Sequence, residues 1–106
     1  MITKSEVDPK YIIELVCNYY IVAPDVIMSY VRYQPVATAR QVAMYLIGLY
    51  TDRTLAQIGT LLNRRKPGTV SYAFTEVGTR ILVDAELSRA VKNLRDVIDS
   101  NGVDGL

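Results

Sequence analysis

The stretch from Thr54 to Phe74, TLAQIGTLLNRRKPGTVSYAF, holds two helical patterns separated by a polar break, Asn63-Arg64-Arg65-Lys66, and that spacing is the layout of a helix-turn-helix. Thr54 suits an N-cap, because its hydroxyl can accept a hydrogen bond from an amide the helix leaves unpaired, and Gln57 can reach back to the Thr54 amide. Leu55, Ile58, Leu61 and Leu62 then recur at helical steps and line one face. Gly59 interrupts that helix where a partner helix can approach closely. Pro67 restarts the pattern, since a residue without an N–H fits the first helical position. Three cations therefore stand just before the second helix, and with the free amides of Gly68 and Thr69 they form a surface that attracts phosphate. The plainer reading of the same pattern is a helical hairpin with a solvated Arg-Arg-Lys turn.

Composition narrows the classes. A chain of 106 residues with 50% hydrophobic content suits a single domain, residues 1–106, with a modest core, and it excludes disorder. No apolar run is long enough for a membrane span, and Met1-Ile2-Thr3-Lys4 lacks the layout of a signal peptide, so a cytoplasmic location is expected. The single Cys17 reads as a small buried hydrophobe beside Ile13 and Tyr20. With no histidine, no metal-ligand cluster, no phosphate-cradling glycine loop and no nucleophile-base pair, the chain reads as a non-enzyme without metal, cofactor or small-molecule substrate.

The formal net charge of +1 conceals an asymmetry. Between Ile27 and Thr75, Arg32, Arg40, Arg53, Arg64, Arg65 and Lys66 face Asp52 alone, a local charge of +5, while each flank carries −2. A positive middle between mildly negative ends is the distribution expected of a small DNA binder.

The remaining chain reads as helices. Asp8-Pro9 opens one that runs through Tyr20 and is apolar on more than one face, a surface expected to pack deeply or to form a homodimer. Pro24-Asp25 opens a short helix ending near Met28, and Ser29 to Pro35 is a loop. Val36 to Tyr50 suits a central core helix, and Thr51-Asp52-Arg53 is the turn before Thr54. The helix from Pro67 extends to about Leu82, Asp84 caps a last helix bearing Leu87, Val91, Leu94 and Ile98, and Asn101 to Leu106 frays. Fold class is thus all-α, a compact bundle of about five to six helices containing a helix-turn-helix. Val70, Ala73 and Val77 fall on the core side of the second helix of the motif, and Tyr72 on its exposed side. Tyr30 and Tyr33, flanking Arg32, either stack on a ligand or cap the core.

Several local strings resemble the C-terminal DNA-binding domain of the bacterial chromosomal replication initiator DnaA. Tyr19-Tyr20 before a turn and Asp25, the run Ala39-Arg40-Gln41-Val42-Ala43-Met44-Tyr45-Leu46, Thr51 followed by Thr54-Leu55-Ala56-Gln57-Ile58-Gly59, and Thr69-Val70 resemble that family's landmarks in order and at nearly matching spacing. The resemblance covers most of the chain. It implies a recognition helix in the major groove, phosphate contact at Arg40, and a role in replication initiation or transcription regulation. It also departs from the family. Where the family reads bases with an aspartate, a histidine and a threonine, this chain has Lys66, Pro67 and Gly68, which cannot make those contacts. The family's glycine-glycine-arginine is Asn63-Arg64-Arg65, and its basic loop, which reaches the minor groove, is Tyr30-Val31-Arg32-Tyr33-Gln34-Pro35, poorer in cations.

The expected partner is therefore double-stranded DNA, bound through Arg32, Arg40, Arg64, Arg65, Lys66, Gly68, Thr69 and Tyr72 with a sequence preference altered from the origin box. A lysine or arginine at this helix start can read guanine O6 and N7. The initiator's ATPase portion is missing, so the reading is of a small regulator, a mobile-element protein or a piece of something longer. The alternative is a protein-protein interaction module on the same scaffold that has lost DNA binding.

Overall fold

A computed structural model describes the backbone of residues 7–104 and the side chains of residues 7–100. Those residues form six helices: α1 (Pro9–Tyr20), α2 (Pro24–Ile27), α3 (Val36–Tyr50), α4 (Leu55–Leu61), α5 (Pro67–Arg80) and α6 (Ala85–Asp104). Helix starts lie where the sequence supplies capping chemistry. The Asp8 carboxylate accepts from the Lys10 amide at 2.9 Å, and Pro9 occupies the first turn. Thr54 and Gln57 form a reciprocal capping box, with Gln57 N donating to Thr54 Oγ1 at 3.1 Å and Thr54 N to Gln57 Oε1 at 2.9 Å. Asp84 accepts from the Leu87 amide at 3.1 Å and pairs with Arg80 at 3.1 Å, so its carboxyl is held below its ordinary pKa by the Leu87 amide first and by Arg80 second. Since α4 has only seven residues, its capping box bears on whether it forms at all. Thr54→Ala is expected to lower stability by about 1 kcal/mol, readable as a shifted urea midpoint with an unchanged slope.

Helix α3 is the centre of the molecule. Val42, Ala43, Leu46 and Ile47 on it are fully buried, and it packs against α1, α2, α4 and α5. Val70, Ala73 and Val77 turn one face of α5 into that core. Helix α6 adds Leu87, Ala90, Val91, Leu94 and Ile98 as a single buried stripe and packs chiefly on α1. Its outer residues pair locally, Lys92 with Asp96 at 3.0 Å. Arg95 does not meet Asp99 directly: its Nε donates to the Tyr50 hydroxyl at 3.2 Å, and that hydroxyl donates to Asp99 at 2.7 Å.

Of the two readings of α1, deep packing is the one the structure bears out, since Ile12, Ile13, Val16 and Cys17 are buried and the helix packs against α3 and α6. Two expectations need correction. Helix α5 ends at Arg80, and Ile81-Leu82-Val83 form the turn to α6 with Leu82 and Val83 exposed. The backbone of residues 101–104, read as fraying, is helical and continues α6, whereas Gly105 and Leu106, like residues 1–6 with their signal-peptide reading, lie outside the described residues. Among the described residues no helix is long and apolar enough to cross a membrane.

Candidate nucleic-acid interface

The helix-turn-helix is closed by a backbone contact at Gly59. Arg65 N donates to the Gly59 carbonyl at 2.8 Å, and a Cβ on Gly59 would collide with the Arg65 carbonyl oxygen. The closest approach is thus made by the turn, with Val70 of the neighbouring α5 in ordinary contact with the same Cβ position at 3.6 Å. Turning the chain so sharply places Asn63 and Arg64 in left-handed backbone, φ 69° and 61°. Asn63 is among the types that tolerate it, and its Nδ2 donates to the Met28 carbonyl at 2.8 Å, tying the turn to the α2–α3 connection.

That connection, residues 28–35, is organised by Arg40. The guanidinium donates to three backbone carbonyls: Nε to Ile27 at 2.8 Å, Nη1 to Val31 at 3.0 Å and Nη2 to Ser29 at 2.9 Å. Only 8% of Arg40 is exposed, and its pKa is lowered by burial first and then by the nearby charges of Arg65 and Arg32. The Ser29 carbonyl also accepts from Arg65 Nη2. Arg65 in turn lies over the Tyr30 ring, 4.6 Å from its centroid, with a buried Nε that has no hydrogen-bond partner. Loop and turn are therefore one hydrogen-bonded unit held on α3.

Between this unit and α5 lies a groove of about 710 Å³. It brings together Arg32, Arg40, Arg64, Arg65, Lys66, Thr69 and Tyr72, with Tyr30 and Gln41 beside them, and no acidic residue lines it. Arg32, Arg64, Lys66, Thr69 and Tyr72 are exposed on its walls, Arg65 is half-buried and Arg40 is buried at its back. Gly68 lies on the exposed start of α5 outside the groove lining, with open space where a side chain would stand. Lys66 is the N-cap residue of α5 and makes no side-chain cap, but its carbonyl accepts from the Thr69 amide at 2.9 Å, so the Thr69 amide, expected to be free, is not. Tyr30 and Tyr33 are 73% and 66% exposed and do not cap the core.

Sequence reading missed the partners of two residues. Tyr30 stacks on a residue far along the chain, which no spacing reveals, and Asn63 bridges to the loop. The burial of Arg40 did have a signal: Val36, Ala43 and Ile47, four before and three and seven after it, share its helical stripe and are all buried.

Comparison with known proteins agrees with this geometry. A family model described as the bacterial dnaA protein helix-turn-helix matches residues 9–77. The chain is 31% identical over 99 residues to the chromosomal replication initiator protein DnaA of Gloeobacter violaceus, covering 93% of this chain and 22% of that protein. It is 37% identical over 84 residues to the protein of that name from Deinococcus deserti (79% and 18% covered) and 32% over 100 residues to that from Roseiflexus castenholzii (94% and 21%). The chain spans about a fifth of the length of these relatives. With its helix-turn-helix, its central arginine helix and these matches over most of its length, the chain belongs to the bacterial DnaA helix-turn-helix family.

Proposed function

We propose that the protein binds double-stranded DNA, with the start of α5 in the major groove and the residue 28–35 loop against the adjoining backbone. The observation that carries this reading is the concentration of five cationic side chains, with no acid among them, on one groove beside the uncapped start of a helix. Such charge is uncompensated within the protein and lowers in energy when a polyanion supplies the counter-charge. Arg32, Arg64 and Lys66 are free to meet phosphates or base edges, Thr69 and the Gly68 backbone can approach closely, and Tyr72 can lie along the duplex. Arg40 serves the same end from within, by fixing the loop that carries Arg32.

Base reading differs from that of the origin box. Lys66 has only donors to offer and Pro67 and Gly68 have no polar side chain, so the major-groove edge that suits this helix start is guanine, with its O6 and N7 acceptors. The fitting role is that of a cytoplasmic DNA-binding regulator or replication accessory without its own catalysis.

Fluorescence anisotropy with a random-sequence duplex across a salt series tests this. With about three to five phosphate contacts, affinity should fall about 40- to 500-fold between roughly 50 and 200 mM salt. The triple variant Arg64→Ala/Arg65→Ala/Lys66→Ala should lose most of that binding. Absence of binding at low salt would refute the DNA reading and move attention to the protein-contact alternative, for which exposed Ile21, Leu82 and Val83 near the Tyr19, Tyr20 and Asp84 cavity are the surface to examine.

A further inference from the structure

Arg64 combines two properties that a merely solvated residue does not need. Its backbone is left-handed at φ 61°, a conformation unfavourable for a residue with a Cβ, and it follows another left-handed residue directly. Asn63 recovers some of that loss through its bond to the Met28 carbonyl. Arg64 recovers none: it is exposed and, among the described residues, its guanidinium donates to no protein acceptor and pairs with no acid. A glycine would hold the same turn with less strain.

We propose that Arg64 is a specificity-determining residue directed at guanine, and that its strained backbone persists because it aims the side chain at base edges. The inference rests on the DNA reading above. Position supports it. Arg64 lies on the groove wall three residues before Pro67, and the first two positions of α5 carry no polar side chain, since Pro67 offers no donor and nothing lies within 4 Å of where a Gly68 side chain would begin. Long side chains on the turn are therefore the ones that reach the base edges, and a planar guanidinium can donate to guanine O6 and N7 together. Arg65, the neighbouring guanidinium, is held back by Tyr30 and the Ser29 carbonyl.

Arg64→Gly, Arg64→Lys and wild type would be titrated with two duplexes of about 20 base pairs, one with guanine runs and one of A·T pairs only, and each protein would be melted without DNA. Arg64→Gly is expected to melt about 4–8 °C higher, the shift that relief of one strained residue gives in a small domain. Its affinity for the guanine duplex should fall about tenfold while that for the A·T duplex changes less than about twofold. Arg64→Lys should hold the A·T affinity and keep only part of the guanine discrimination, because an ammonium reaches O6 and N7 without the guanidinium's planar fork. Equal losses on both duplexes would overturn the proposal in favour of a phosphate contact, and unchanged guanine affinity in Arg64→Gly would overturn it outright. A wild type that binds neither duplex at low salt would instead refute the DNA reading itself, a result distinguishable from both.

Discussion

Arg40→Lys is expected to fail almost as badly as Arg40→Ala, although it keeps the charge. The Arg40 guanidinium holds the carbonyls of Ile27, Ser29 and Val31 at once, from one planar fork at 2.8–3.0 Å. A lysine ammonium is compact and cannot span three acceptors arranged around a plane. Removing the fork leaves carbonyls without donors and frees residues 28–35, so both variants should lose about 3 kcal/mol of stability. DNA affinity should fall with it, because the loop carries Arg32 and the Ser29 carbonyl restrains Arg65. A urea midpoint for each variant, paired with anisotropy at low salt, reads both effects. If Arg40 acted mainly as a phosphate contact, Arg40→Lys would keep the wild-type midpoint and lose only a little affinity; that pattern would refute the clamp.

The second large effect concerns a single methyl group. In an ordinary helix interior, glycine to alanine stabilises by about 0.5–1 kcal/mol. Gly59→Ala should do the opposite and destabilise by about 2–4 kcal/mol, because its Cβ would occupy the space of the Arg65 carbonyl oxygen, which is backbone and cannot swing aside. Moving that carbonyl also stretches the bond from Arg65 N to the Gly59 carbonyl, which closes the turn. Gly78→Ala on α5 provides the contrast. Nothing lies within 4 Å of its Cβ position, so that change should stabilise by the ordinary helical amount. Thermal melts of the two variants side by side check the sign, and a Gly59→Ala protein as stable as Gly78→Ala would contradict the close contact.

Much of the fold was legible because this chain marks its helix starts chemically. Asp8-Pro9, Thr54 with Gln57, Pro67 and Asp84 each announce a boundary through a local hydrogen bond or a missing N–H, and local chemistry is what sequence periodicity can see. Failures arose where the deciding contact was distant. The first helix read alike as deeply packed or as meeting a partner, because its apolar residues cover more than one face, and only its distant contacts with α3 and α6 show the packing. Gly59 was read against a neighbouring helix, and Val70 of α5 does touch it, but the tightest contact is with the Arg65 carbonyl six residues on, brought back by the two left-handed residues of the turn. In the site, the cations of the turn were legible from their clustering, and Tyr72 from its helical phase. The division of labour among arginines was not. Arg40, Arg64 and Arg65 look alike in sequence, yet one is buried and clamps carbonyls, one is free on the groove wall, and one is stacked on Tyr30.

Helix α6 lies wholly outside the residues matched by the family model and contributes nothing to the lining of the cationic groove. It is docked by one apolar stripe, mainly on α1, and helped by the Tyr50 hydroxyl. An element attached in that way can detach as a cooperative unit at less than the free energy of global unfolding. Amide hydrogens along α6 would then exchange through a partial opening that leaves the loop, the turn and α5 assembled, so the DNA-facing half and the rear half of this small molecule keep separate clocks.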